Sequence, residues 1–573
     1  MKGFAIYDCR LTNSSPPILD PKSKIVNRLS YVPDALNQPS RSNTDWLLLA
    51  GFCGFLFFWG LGYFGLIGAD EPRYAQVAHE MFERRSWITP VLDGKPWLEK
   101  PVLYYWEAML VYSIAGVSDW AARVPSALNA TLMTVAVYLF LRRFRPRFQL
   151  DGALMTASAA GVIGFARAAS MDMLLAAMFT IALLSWYGWY ESGAKRYLAL
   201  FYVFLGLATL AKGPVAPFLA VSIIIIFSAV AKSPGLVSRS LWIPGIVLFC
   251  AITLPWYIAV QIKNPDFFRV FVLQHNLARF GTDLYQHKES LWYYVPVILL
   301  GLIPWTVFIA AALLDSIRAW WSERKQSLQP ENALNVFLVI WLIVPGVFFS
   351  LSQSKLPGYM LPALPAGTLL LAEYIRRRVL MADPRPDYLL VICHSIVAVF
   401  PLIPALMLNY ILLQHRLPSG SALLISSALA TALAIGMSVT LRTQLGLGML
   451  RFVTLIPVVL SLAAVLRNDA PTLDALLSAR PLVHQIERME NRRLPIAGFR
   501  LSRETEYGLE FYRNQVIARY NWGQIPLGEH LVVAPSGLQS AVAEKVADRR
   551  VLYLGSFAPQ GLDYYWVGEK GSH

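Results

Sequence analysis

The chain has 573 residues, enough for three or four soluble domains, but 56% are hydrophobic, only 15% are charged and the mean hydropathy is +0.47. Those values exclude an ordinary water-soluble enzyme: apolar runs of about twenty residues recur from Asp45 to Arg467, each able to cross a hydrocarbon layer roughly 30 Å thick as a helix. The formal net charge of +14 does not indicate a nucleic-acid partner, because Lys and Arg fall mainly in short loops between apolar runs, where a topogenic bias explains them.

In chain order, residues 1–44 form a polar arm with no apolar core ahead of a small-residue cleavage site, so the first apolar run is expected to stay attached as a signal anchor. Thirteen crossings are predicted, at 45–67, 122–141, 150–169, 172–190, 197–212, 214–231, 242–262, 291–314, 334–352, 358–375, 388–411, 421–441 and 447–466. A further apolar stretch, Val102 to Val117, carries Glu107. If it does not cross, the basic loops Arg142-Arg143-Phe144-Arg145, Lys195-Arg196, Lys232 to Arg239, Arg324-Lys325 and Arg376-Arg377-Arg378 all share the side of the N-terminus, which is then cytoplasmic. If it crosses, the later loops invert against that bias. Val102 to Val117 is therefore read as interfacial or re-entrant, and the odd count places the C-terminus outside.

Charge returns from residue 468 to 573, where strand-like pieces (His530 to Val533, Val551 to Leu554) alternate with helical ones (Gln539 to Ala547). The expected fold class is a polytopic α-helical membrane protein of about thirteen transmembrane helices with a C-terminal soluble α/β domain. Its parts are a cytoplasmic arm at 1–44, a transmembrane catalytic domain at 45–467 with outer loops at 69–121 and 263–290, and an outer domain at 468–573. Cys9 lies in the polar arm and Cys53, Cys250 and Cys393 lie in apolar runs, so no disulfide framework is implied.

The informative residues are ionisable groups that an apolar chain has no structural reason to keep. Asp70, Glu71, Arg73 and Tyr74 follow the first span, in an outer loop that continues to Trp97-Leu98-Glu99-Lys100-Pro101 and is too long for a simple connector. Asp172 opens the fourth span, Lys212 ends the fifth, Lys355 lies between the ninth and tenth, and His275 and Arg279 lie in the loop 263–290. All map to the outer face. Each also has a structural reading: Asp70 and Glu71 as a helix N-terminus, Asp172 as a helix cap with Ser170, and Lys212 and Lys355 as anchors near the headgroups. Gly213-Pro214 beside Lys212 and Pro357-Gly358 beside Lys355 suggest defined turns, which favours site roles. His287, Lys288, Trp292, Tyr293 and Tyr294 are read as headgroup contacts.

Carboxylates beside cations at one leaflet suit the departure of a lipid-linked anion. In sugar transfer from a polyprenyl phosphate the C1–O bond breaks and negative charge develops on the leaving phosphate, which Lys100, Arg279 and Lys355 are placed to stabilise. The role of Asp70 depends on the acceptor. A hydroxyl needs a base as it attacks, whereas a phosphate is already an anion and leaves Asp70 to orient substrate, hold an amino group or stabilise charge at C1, duties that Asp172 can share. A transporter or lipid flippase is the alternative outside enzymes; it predicts ionisable residues near the bilayer midplane and paired, interrupted helices.

Six stretches carry a family resemblance: Asp70-Glu71-Pro72-Arg73-Tyr74-Ala75, Leu98-Glu99-Lys100-Pro101, Ala211-Lys212-Gly213, His275-Asn276-Leu277-Ala278-Arg279-Phe280, Trp292-Tyr293-Tyr294-Val295-Pro296 and Lys355-Leu356-Pro357-Gly358-Tyr359. Through them the chain resembles the C-type, polyprenyl-phosphate-dependent glycosyltransferases related to protein mannosyltransferases, and within them the bacterial 4-amino-4-deoxy-L-arabinose lipid A transferases. The resemblance implies a monomer of the bacterial inner membrane that moves aminoarabinose from undecaprenyl phosphate to lipid A phosphates at the periplasmic face, among membrane lipids, and so confers resistance to polymyxin and other cationic peptides. It implies Asp70 and Asp172, with Glu71, as catalytic carboxylates. Lys100, Arg279, Lys355 and Tyr359 become lipid-phosphate contacts, Arg73, Tyr74 and Lys212 further substrate contacts, and Glu99 with His275 a pair holding one divalent metal, zinc, in a structural role, with no nucleotide cofactor. A related transferase with another sugar, or with a hydroxyl acceptor as in protein O-mannosylation, stays open. Met171-Asp172-Met173 departs from the family, whose members can carry Asp-Pro there.

Overall fold

The computed structural model describes residues 42–278, 289–324, 328–381, 386–414, 420–443, 446–546 and 548–569. Helix α1 (Ser42–Cys53) runs into a wide π-type turn, Gly54–Phe58. The segment that follows carries α2 (Asp70–Glu83), a small hairpin of β1 (Val91–Leu92) and β2 (Lys95–Pro96), and α3 (Leu103–Ala115). Then come α4 (Asp119–Phe144), α5 (Gln149–Ala157), α6 (Ala160–Ala166), α7 (Met171–Ser192), α8 (Lys195–Lys212), α9 (Val215–Val230) and α10 (Ile243–Lys263). Helices α11 (Tyr294–Gly301), α12 (Thr306–Glu323), α13 (Pro330–Ser350), α14 (Leu364–Leu380), α15 (Tyr388–Val399), α16 (Leu402–Gln414), α17 (Gly420–Leu441) and α18 (Leu450–Ala464) complete the bundle.

Among the described residues, seven helices are long and apolar enough to cross a membrane, or eight if the bent pair α11 and α12 counts as one span. That is fewer than the thirteen predicted, although each predicted span overlaps helical structure. Part of the difference is breakage. Ser158 and Ala159 split the segment 150–169, whereas the turn at Phe400 and Pro401 between α15 and α16 removes no span, because Tyr388–Asn409 still counts as one of the seven. The segment 291–314 is no straight span: α11 and α12 meet at 114° around Pro304. The first and last of these breaks interlock. Ala160 N–H donates to the Ile303 carbonyl at 2.8 Å, so one backbone donor and one acceptor at the breaks satisfy each other, and the Trp305 indole adds a side-chain bond to Ser158 Oγ at 3.0 Å. Paired interrupted helices are what the transporter alternative predicted, but the polar groups meeting at this junction are uncharged.

Helix α7 is buried along nearly its whole length and is the central post, with α4, α8 and α9 around it; α17 is largely exposed at the periphery. At one end of the bundle Glu373 of α14, 1% exposed, meets Arg377 at 3.3 Å and Arg145 after α4 at 3.8 Å, so two of the predicted same-side basic clusters do share an end. Helix α3 has 13 residues, about 20 Å of rise, short of the roughly 30 Å needed to cross. Tyr104, Tyr105, Met109 and Tyr112 bury one of its faces while Leu110 and Ile114 stay exposed.

The C-terminal unit is a five-stranded mixed sheet in the order β4-β3-β5-β7-β6 (β3 Ile496–Gly498, β4 Ala518–Arg519, β5 His530–Pro535, β6 Val551–Phe557, β7 Leu562–Val567), parallel around β3 and antiparallel around β7. Its strands alternate as a period of two requires: Leu531 and Val533 join one apolar cluster with α19 (Arg480–Met489), and Val532 and Ala534 join the other with α21 (Gln539–Lys545). Helix α20 (Arg503–Arg513) packs back onto α2. Arg480 fastens the unit to the membrane part by ion pairs to Asp119 and Asp474, both 2.7 Å, and by donating to the Gly62 carbonyl at 3.0 Å.

Candidate active site

The segment between the π-type turn and α2 is apolar and irregular, and a buried arginine holds it. Arg123, one turn into α4 and 1% exposed, donates to the carbonyls of Leu61 (2.7 Å), Phe64 (2.8 Å) and Gly65 (2.8 Å). Its remaining donors reach both oxygens of Glu71, at 3.1 and 2.7 Å. Glu71 also accepts from Ile67 N–H (2.9 Å) and Ala169 N–H (2.7 Å). The expectation of a catalytic Glu71 does not fit this geometry: buried at 6%, its carboxylate is spent on binding the loop to α4 and to the start of α7. Sequence reading missed Arg123, although an arginine inside a predicted span is itself a signal.

With Glu71 turned inward, its neighbour Asp70 is left at the surface of the α2 N-terminus, 57% exposed and ion-paired to Arg73. The Arg73 guanidinium is sandwiched among the rings of Tyr74 (5.2 Å), Trp97 (5.4 Å) and Tyr507 of α20 (5.5 Å). Burial works against its charge, but Tyr74, Asp70 and Glu99 outweigh burial and hold it above the ordinary arginine range. Burial, then Asp70, pushes the Tyr74 phenol well above its usual value, and the Asp172 carboxylate is near enough to add to the effect. Tyr74 is thus close enough to both aspartates to feel their charge.

Ser170 caps α7: its Oγ accepts from Asp172 N–H at 3.1 Å. Asp172 is therefore not the cap, and its carboxylate is available to pair with Lys212 from the end of α8. Behind the carboxylate lies Gly358, where a β-carbon would come within 2.7 Å of Asp172 Cγ. Lys212 Nζ sits 4.6 Å above the Tyr359 ring, which packs on Phe349 at 4.7 Å. Met171 and Met173 are buried and the helix starts at Met171 after its Ser170 cap, so the departure from Asp-Pro leaves the backbone regular. Lys355 is 6% exposed, and its ammonium donates to the carbonyls of Ser352 (2.8 Å) and Glu289 (3.1 Å). Neither lysine is a headgroup anchor, because both are drawn inward by polar partners. Tyr294 is no headgroup contact either: it is 1% exposed and its hydroxyl accepts from Leu356 N–H at 3.2 Å.

His275 lies on the π-type segment Arg269–Ala278, with Nε2 3.7 Å from Glu99 Oε1. That segment reaches the lysine turn through Phe271, whose ring would lie 2.8 Å from a β-carbon on Gly213; with φ +93° as well, only glycine suits position 213. Two donors of one tetrahedral zinc stand roughly 3.4 Å apart, so the Glu99–His275 pair fits two corners of such a site. Among the described residues no third His, Cys, Asp or Glu completes it. Lys100 is half-buried next to Glu99. Arg279 lies outside the described residues.

Residues 47–271 match the family described as dolichyl-phosphate-mannose-protein mannosyltransferase. The chain is 32% identical over 348 residues to an undecaprenyl phosphate-alpha-4-amino-4-deoxy-L-arabinose arabinosyl transferase of Pseudomonas fluorescens, covering 59% of this chain and 61% of that protein. A counterpart of the same name from Pseudomonas aeruginosa is 31% identical over 353 residues, covering 60% and 62%. In both cases the match spans less than two thirds of the relative's length. The crystal structure of ArnT from Cupriavidus metallidurans bound to undecaprenyl phosphate superposes with a TM-score of 0.72 at 20% identity, covering 91% of this chain and 97% of that one. Its apo form gives 0.70 at 21% identity, covering 92% and 98%. The chain thus has the fold of that polytopic membrane protein over nearly its whole length.

Proposed function

We propose that this chain is a glycosyltransferase that moves 4-amino-4-deoxy-L-arabinose from undecaprenyl phosphate to a phosphate of lipid A at the periplasmic face of the bacterial inner membrane. Adding the sugar's amine lowers the negative charge to which polymyxin and other cationic peptides bind. The observation that carries this reading is the Asp172–Lys212 pair seated on Gly358 and Tyr359, with the Asp172 charge reaching Tyr74 next to Arg73, in a chain similar to relatives named for that transfer.

In this reaction the donor C1–O bond breaks, its electron pair stays on the undecaprenyl phosphate, and an oxygen of the lipid A phosphate forms the new bond to C1. Lys355 has three N–H donors and two go to backbone carbonyls, which fixes the third for a phosphate oxygen. Lys100, Arg279 and Tyr359 join it around the leaving group. Asp172, held by Lys212, stabilises positive character at C1. Asp70, paired with Arg73, takes the sugar's amino group. A divalent metal on Glu99 and His275 would supply a fixed positive charge that braces the loop; the transfer itself is left to the chain's own groups. The N-terminal arm faces the cytoplasm, α3 lies along the outer headgroups, the α/β unit is periplasmic, and the protein works as a monomer.

The matched family is described by protein mannosyl transfer, so a hydroxyl acceptor is the second reading. Mass spectrometry of lipid A from cells with and without the gene tests the first. An aminopentose addition that depends on the gene is expected; its absence, with the protein shown to be expressed, overturns the assignment.

A further inference from the structure

A cavity of about 550 Å³ lies apart from the Asp172 centre, between the first helix and the segment leading into the C-terminal unit. One wall is aromatic, built from Phe55, Trp59 and Tyr63. The other is one face of the last long helix, where Ala463, Leu466, Arg467 and Ala470 follow the i, i+3, i+4, i+7 spacing. The two alanines make the slot wide enough for a chain of methylenes, and Leu466, 3% exposed, makes it apolar. Arg467 is exposed at the cavity, and among the described residues no carboxylate pairs with it.

The position in the fold says what fills the slot. The cavity lies where the first apolar helix ends and the Gly446–Leu477 helix approaches its end, on the side from which the chain continues to Asp70. Aromatic rings and arginine together at the end of a span mark headgroup depth, and an exposed arginine there with no ion-pair partner among the described residues suits an anion. A phosphodiester with acyl chains satisfies both halves: the phosphate makes charge-assisted hydrogen bonds to the guanidinium, and a chain fills the apolar slot below.

We propose that this cavity binds an anionic glycerophospholipid of the surrounding membrane, with its phosphate on Arg467 and one acyl chain between the aromatic wall and Ala463. The site is connected to the catalytic loop. Between Trp59 and Tyr63, the Leu61 carbonyl accepts from Arg123, which holds Glu71 next to Asp70, and the Tyr63 carbonyl accepts from Arg480 at 3.2 Å. A lipid seated there braces the segment that presents Asp70.

The test is native mass spectrometry of the purified full-length protein with equal amounts of phosphatidylglycerol and phosphatidylcholine, with and without undecaprenyl phosphate. The wild type should retain phosphatidylglycerol over phosphatidylcholine by about tenfold, a single charge-assisted contact. Arg467→Gln should bring the two within about twofold, and Ala463→Phe should lower retention of both at unchanged helical content. An unchanged preference in Arg467→Gln overturns the proposal. So does displacement of the phosphatidylglycerol by equimolar undecaprenyl phosphate, which would make the cavity a donor site. Because binding is read without turnover, failure of the transfer reaction leaves this result standing.

Discussion

The carboxylate of Glu71 and the guanidinium of Arg123 form a two-armed pair, 2.7 and 3.1 Å long, with both residues buried. Removing one member strands the other's charge without water, which typically costs about 3–5 kcal/mol. Glu71→Gln and Arg123→Met are therefore expected to lower the melting temperature sharply, or to abolish expression, in parallel with any loss of activity. Asp70→Asn, at an exposed position, should melt like the wild type. Equal melting of Glu71→Gln and wild type would return Glu71 to the list of catalytic candidates.

Asp70→Asn also separates the two acceptors. With a phosphate acceptor, Asp70 holds the sugar's amine, and losing that charged hydrogen bond, about 1.5–3 kcal/mol, should raise the donor KM roughly ten- to a hundredfold and leave the pH profile of kcat unchanged. With a hydroxyl acceptor, kcat itself collapses because the base is gone. Steady-state kinetics with the lipid-linked donor gives the answer.

Gly358→Ala adds one carbon at 2.7 Å from Asp172 Cγ. The carboxylate must move, and a displacement on this scale near reacting atoms costs on the order of a hundredfold in rate. Transfer activity should fall by about that factor while the far-ultraviolet circular dichroism stays that of the wild type. Wild-type activity would mean that Asp172 is not held in place for the reaction.

Glu510 on α20 is 1% exposed, and neither of its oxygens has a hydrogen-bond partner among the described residues. Burial, with Asp93 and Glu506 nearby, outweighs Arg519 and pushes its carboxyl from 4.5 up to about 9. A carboxyl raised in the folded state contributes its full stability below the unfolded value and loses it as pH climbs toward the folded one. Glu510→Gln should therefore melt close to the wild type near pH 5 and progressively above it toward pH 9. A gap that does not change with pH would show that Glu510 is ionised in the native protein.

A reporter fused after Val117 should report the same outer compartment as one fused after Gly68, because α3 is about 20 Å long and the bilayer core about 30 Å. Opposite compartments would make α3 a crossing and invert every later loop.

The sequence by itself determined the membrane class and the α/β character of the C-terminal unit. It also singled out Asp70, Asp172, Lys212 and Lys355 as ionisable groups beside apolar runs, because hydropathy, period and loop charge are local properties that lipid and water read directly. The strand at His530 to Val533 and the helix opening at Gln539 were legible for that reason: β5 spans His530–Pro535 and α21 spans Gln539–Lys545. What the tertiary structure decided was how each charge is used. Asp70 and Glu71 are adjacent and chemically alike, yet one faces solvent and the other is consumed by Arg123, 52 residues away. The pairing of Asp172 with Lys212, the seat that Gly358 gives it, and the breaks at Ser158 and Pro304 that meet each other likewise depend on partners distant in the chain. No local pattern encodes which of two equal carboxylates a buried guanidinium will take; burial forces that choice only once the helices have packed.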